Sequence, residues 1–216
     1  MARLPRSERV AIAGPGGPLE LLVETPVADS GSELPPPVAF AVVCHPHPLQ
    51  GGTLDNKVVY TVARAFEQLG APAIRFNFRG VGASGGSYDE GRGETEDVLA
   101  VIAWGRQRWP HAALWLGGFS FGGVIALRAA SREPSERVVL VAPGITKIDT
   151  GGVGAPGCPM LIVQGDADDV VPAPAVLAWA KTLQPAPTIT VLAGAGHFFH
   201  GRTHDLREAV LAFMAT

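Results

Sequence analysis

Gly117-Gly118-Phe119-Ser120-Phe121-Gly122-Gly123 joins two apolar runs of different character. Before it, Ala112-Ala113-Leu114-Trp115-Leu116 reads as a buried strand; after it, Val124-Ile125-Ala126-Leu127-Arg128-Ala129-Ala130 reads as a helix. Residues 118–122 therefore fit G-x-S-x-G at a sharp strand-to-helix turn, the context that presents a serine as a nucleophile. Such a turn holds the serine in a strained backbone conformation, and the glycines two residues to either side leave room where a side chain would collide. Ser120 Oγ then stands at a helix N-terminus, where amides and the helix dipole favour developing negative charge.

Residues 8–13 and 19–24 predict two antiparallel edge strands around Gly14-Pro15-Gly16-Gly17-Pro18. The loop Asp29–Pro37 carries three prolines that cannot donate to a ladder. Val38–Cys44 does not alternate and predicts a strand buried on both faces. A helix follows, with Asp55 as its expected cap, an apolar stripe of Val58, Val59, Val62, Ala65, Phe66 and Leu69, and Gly70 as its stop. Ala73–Phe78 is the next strand, and a helix with Glu94, Glu96 and Asp97 in its first turn runs to about Trp109. Beyond the serine turn come strands at Arg137–Ala142, Pro159–Gln164 and Thr188–Leu192, with helices at Pro174–Leu183 and Asp205–Met214. Glu208 stands three residues after Asp205, the spacing of a capping box. Alternating strands and helices predict one α/β domain over 1–216. Its sheet is doubly wound, mostly parallel and eight-stranded, with helices on both faces.

Net charge is −3, so no basic footprint for nucleic acid exists. No run of about 18 apolar residues predicts a membrane span, and no apolar region follows the charged Met1–Arg6 as a secretory signal requires. Cys44 and Cys158 have neither metal spacing nor a disulfide framework, which predicts free thiols in a reducing, cytoplasmic compartment. The expected partner is a small molecule, with no cofactor, and the chain a monomer or homodimer.

In a parallel sheet, reactive groups collect beyond the carboxyl ends of the strands. Gly165-Asp166-Ala167-Asp168-Asp169-Val170-Val171-Pro172 follows one strand, and Ala193-Gly194-Ala195-Gly196-His197-Phe198-Phe199-His200 follows the last. A carboxylate and then a histidine complete the order Ser…Asp…His. His197 is placed to take the hydroxyl proton of Ser120, and an aspartate on its other nitrogen to fix the tautomer and stabilise the imidazolium.

These features resemble the α/β-hydrolase superfamily over roughly residues 38–200. Asp168-Asp169-Val170-Val171-Pro172 is similar to that family's D-x-V-V-P, whose first aspartate is the triad acid; this implies Asp168, with Asp166 and Asp169 as competitors suited to turn formation. Arg79-Gly80-Val81-Gly82-Ala83-Ser84 resembles the family's R-G-x-G-x-S turn, while Asn77 stands where aspartate is common. His45-Pro46-His47-Pro48-Leu49-Gln50-Gly51-Gly52-Thr53 with Asp55-Asn56-Lys57 and Arg75–Gly80 is similar to a group of small bacterial predicted hydrolases, a resemblance that implies mechanism and not substrate.

The expected oxyanion donors are the amides of Phe121, which follows the nucleophile, and of His47; Pro46 and Pro48 have no N–H, and Leu49 lies further from the strand end. Residues 143–158 are short and glycine-rich where many family members carry a helical lid, which predicts an open, shallow site walled by Leu49, Phe119, Phe121, Phe198 and Ile145. The implied activity is cleavage of small carboxylic esters. A thioesterase, a peptidase and a non-catalytic binding protein on the same scaffold are the alternatives. His45, His47, His200 and His204 lack acidic or cysteine partners at metal spacing, so no metal is expected. His45 reads instead as a buried loop residue bonded to backbone, His111 as a surface residue, and Arg79 as the pin of its turn or a clamp on a substrate carboxylate.

Overall fold

Ala39–Cys44 is apolar throughout, and every one of its residues is buried in the strand it forms. The computed structural model describes residues 5–27, 35–150 and 152–216. The first four residues, the expected loop as far as residue 34, and Gly151 lie outside the described residues. The strands are β1 (Arg6–Gly14), β2 (Gly17–Thr25), β3 (Ala39–Cys44), β4 (Ala73–Phe76), β5 (Ala113–Phe119), β6 (Arg137–Val141), β7 (Met160–Gly165) and β8 (Thr188–Leu192). They form one eight-stranded sheet in the order β1-β2-β4-β3-β5-β6-β7-β8. The β1–β2 and β2–β4 pairs are antiparallel, and every pair from β4–β3 to β7–β8 is parallel.

The helices are α1 (Lys57–Gln68), α2 (Arg92–Arg108), α3 (Phe121–Ala130), α4 (Ala173–Ala180) and α5 (Thr203–Met214). Side chains alternate across the strands, so the central strands feed two cores. Phe40, Val42, Leu114 and Leu116 pack with α2, α3 and α4 on one face. Ala41, Val43, Trp115 and Phe119 pack with α1 and α5 on the other. The parallel register sets Cys44 level with Gly118, Phe119 with Val141, and Gly165 with Leu192. The loops after β3, β5, β7 and β8 thus leave from the same edge. Between β6 and β7 the described residues contain no helix.

Several ends differ from the sequence reading. Asn56, not Asp55, caps α1: its carboxamide oxygen accepts from the amides of Val58 and Val59. At α5 the expected capping box is absent, because the helix starts at Thr203 and Asp205 is taken up by Arg202. Helix α2 starts at Arg92, with Glu94 folding back to accept from the amides of Gly91 and Asp89. Helix α4 ends at Ala180 rather than Leu183.

Candidate active site

The turn between β5 and α3 is built by backbone crowding. Ser120 has φ 54° and ψ −117°, a conformation that costs an L-residue about 1–3 kcal/mol. A Cβ at Gly118 would lie 2.1 Å from the carbonyl oxygen of Gly122, and one at Gly122 would lie 2.4 Å from the oxygens of both Cys44 and His45. Only glycine fits either position. The strained serine is held by its amide, which donates to Val141 O at 2.9 Å, and by its carbonyl, which accepts from Gly144 at 2.9 Å and Gly123 at 3.0 Å.

Two further loops meet this turn. Ser120 Oγ lies 3.0 Å from His197 Nε2, and His197 Nδ1 lies 2.8 Å from Asp168 Oδ2. An ionised carboxylate only accepts, so Nδ1 carries the proton and Nε2 is left to accept from the serine hydroxyl. Burial resists ionisation of Asp168, but hydrogen bonds from His197 and from the amides of Val171 and Val170 outweigh it and hold the carboxyl below its ordinary value. The loops also brace each other: a Cβ at Gly165 would sit 2.1 Å from Ala195 O, and the Asp166 carboxylate accepts from Gly194 N at 2.6 Å. Asp169 points into solvent. Of the three candidate aspartates, only Asp168 reaches His197.

The sequence reading missed Gln164. Its side chain is fully buried, and Nε2 donates to Asp168 Oδ2 at 3.1 Å and to the carbonyls of Gly165 and Val171. The available signal was a polar residue at the end of an otherwise apolar strand.

Helix α3 begins at Phe121, so the Phe121 amide is free of the helical ladder; like the His47 amide, it donates to no partner among the described residues. The Leu49 amide is taken, donating to His47 Nδ1 at 3.2 Å. Leu49 and Phe198 are 72% and 47% exposed, and Ile145 is half-buried. Two expected wall residues are not on the surface. Phe119 is fully buried, its ring 4.9 Å from that of His197, because alternation along β5 sends it into the α1–α5 core. Phe121 is buried too, packed on Phe78, with the rings of His47 and Tyr88 against it. Half-buried Tyr88, unremarked in the sequence, lies beside His47 with ring centroids 4.9 Å apart.

The supporting residues have definite partners. Arg79 clamps Asp97 through Nε at 3.0 Å and Nη2 at 2.7 Å, while its amide donates to the same carboxylate. Asn77 accepts from Leu54 N and donates to Glu20 Oε2, a bridge that needs an amide and that aspartate cannot form. His45 is buried and bonded to backbone at both ring nitrogens, while His111, His200 and His204 are exposed.

A family model for the alpha/beta hydrolase fold matches residues 49–153. A lidless α/β serine hydrolase from Xanthomonas campestris is 40% identical, with 97% of this chain and 94% of that one covered and a TM-score of 0.91. An α/β serine hydrolase homologue from Coxiella burnetii is 42% identical over 95% of this chain and 96% of its own, with a TM-score of 0.88. An uncharacterized protein of Rickettsia prowazekii is 34% identical over 191 residues, 84% of this chain and 80% of that protein. The chain belongs to the α/β-hydrolase superfamily, in its group of lidless serine hydrolases. No helix among the described residues is long and apolar enough to cross a membrane.

Proposed function

We propose that the protein cleaves small carboxylic esters through an acyl-enzyme, with Ser120 as nucleophile, His197 as general base and acid, and Asp168 as the group that orients His197. One observation carries this reading: the unbroken chain from Ser120 Oγ to His197 Nε2 at 3.0 Å and from His197 Nδ1 to Asp168 Oδ2 at 2.8 Å. Ser120 Oγ bonds to the acyl carbon as its proton passes to Nε2. The resulting oxyanion lies at the start of α3, where the amides of Phe121 and His47 are the donors. Collapse of the tetrahedral species expels the alcohol, which takes the proton from His197. Water then adds to the acyl-enzyme, giving its proton to Nε2, and the acid leaves as Ser120 recovers the proton.

Substrate size follows from the walls. Leu49, Phe198 and Ile145 offer a small apolar rim, and among the described residues no lid closes over it. Each acyl methylene contributes about 0.8 kcal/mol only while there is surface to bury it. kcat/KM is therefore expected to stop rising after a few acyl carbons, with no jump in rate above a micellar threshold. An aryl fluorophosphonate should label wild type and fail to label Ser120→Ala. Labelling of that variant, or a steady rise in kcat/KM to long acyl chains, would overturn the reading at the nucleophile or at the pocket respectively.

A further inference from the structure

We propose that His45 is a positioning residue for the oxyanion: its ring holds the Pro46–His47 peptide so that the His47 amide faces the developing charge. This rests on the serine-hydrolase reading above. His45 is fully buried, with Nδ1 2.6 Å from the carbonyl oxygen of Pro46 and Nε2 3.0 Å from the amide nitrogen of Phe78. A backbone amide can only donate, so Nε2 is the acceptor and Nδ1 carries the hydrogen given to Pro46. The main chain thereby selects one tautomer.

The Pro46–His47 peptide is trans, and in a planar trans peptide the C=O and N–H point in opposite directions. Tying the Pro46 carbonyl down to a buried ring turns the His47 N–H away from the core, and that amide has no partner among the described residues. The carbonyl is confined from another side, because a Cβ at Gly52 would stand 2.1 Å from it. The same loop is pressed against the start of α3, where Gly122 leaves room only for the oxygens of Cys44 and His45. His47 completes the arrangement by engaging the Leu49 amide, which leaves its own amide as the free donor in Pro46-His47-Pro48-Leu49. The motif His45-Pro46-His47-Pro48 thus divides into a ring that aims, an amide that is aimed, and two prolines that stiffen the loop between them.

Two variants separate this role from simple core filling. His45→Asn sets a side-chain amide near the Nδ1 position, within reach of the Pro46 carbonyl. His45→Gln places its amide near Nε2, serving Phe78 and releasing Pro46. With a short-chain ester, His45→Gln is expected to lose roughly 10²-fold in kcat at unchanged KM, the scale of a lost oxyanion donor, and His45→Asn to stay within about threefold of wild type. Affinity for a trifluoromethyl ketone, which adds to the serine as a tetrahedral oxyanion, should fall in step with kcat. Equal losses in both variants, or a kcat loss that inhibitor affinity does not follow, would overturn the proposal. Should either variant fail to fold, histidine-labelled wild type decides by NMR. The His45 Nδ1 proton must be present at neutral pH and must shift on ketone addition; an unmoved signal overturns the role. Wild type that neither hydrolyses the ester nor binds the ketone marks failure of the serine-hydrolase reading itself, whereas both activities lost on Ser120→Ala leave that reading standing whatever His45 does.

Discussion

His45 and His197 are both buried, at 0% and 4% exposure, and each has both ring nitrogens engaged. Their chemistry differs because their partners differ. His45 lies between two main-chain groups, a carbonyl that accepts its proton and an amide that cannot release one. Burial pulls its pKa down to about 4, so the ring stays neutral and its tautomer fixed. His197 lies between a carboxylate and a hydroxyl. In the proposed mechanism the hydroxyl has a proton to give, and the carboxylate stabilises the cation that results. On that mechanism, equal burial produces a strut in one place and a proton carrier in the other.

The sharpest test of this contrast is deletion. His197→Ala and Ser120→Ala should each lower kcat/KM by more than 10⁴-fold, towards about 10⁶, and the double variant by little more, because the groups act as one unit. Circular dichroism should show both folded. A His197→Ala loss no larger than that of His45→Gln would erase the distinction. Next in size is the carboxylate: Asp168→Asn is expected to cost roughly 10³- to 10⁴-fold through the wrong His197 tautomer, while Asp169→Asn, at an exposed position, leaves kinetics near wild type. Equal effects would break the assignment.

The smallest effect separates the two histidines by stability and not by rate. Because the folded-state pKa of His45 lies below its ordinary 6.5, the unfolded chain binds more protons between pH 6.5 and about 4, and stability must rise with pH across that window. His45 alone contributes on the order of 3 kcal/mol, complete above pH 6.5 and lost as pH falls to about 4. The depressed pKa of His47 adds a lesser slope of the same sign. Asp168 acts lower down: its stabilisation is present above the ordinary carboxylate value of 3.8 and is lost only below it. Denaturant titrations at pH 4–7 should show His45→Asn with a flatter profile than wild type; parallel profiles would show that His45 is not the neutral strut described.

Much of this was legible in the sequence because it is local. Ser120, Asp168 and His197 each lie in the segment that follows a predicted strand of a mostly parallel sheet, and glycines mark the tight turn. The pairings that escaped reading are those made by the third dimension. The choice of Asn56 over Asp55 as cap depends on one residue of helix phase. Phe119 was misread as a wall because a strand buried on both faces carries no alternation to show which core a side chain enters. The bond of Asn77 to Glu20 joins residues 57 apart in sequence, and that of His45 to Phe78 joins residues 33 apart, distances over which neither periodicity nor turn chemistry carries information.

The contact of Gly122 with the carbonyls of Cys44 and His45 has a consequence for redesign. At Gly122 the two segments that carry the Phe121 and His47 amides meet main chain to main chain, at a spacing no side chain can enter. The rim residues Leu49, Phe198 and Ile145 take no part in that joint. A library randomised at those three positions should therefore yield altered ester selectivity in variants whose turnover of the smallest acetate remains near wild type. A single methyl added at Gly122 should silence the enzyme towards every substrate at once.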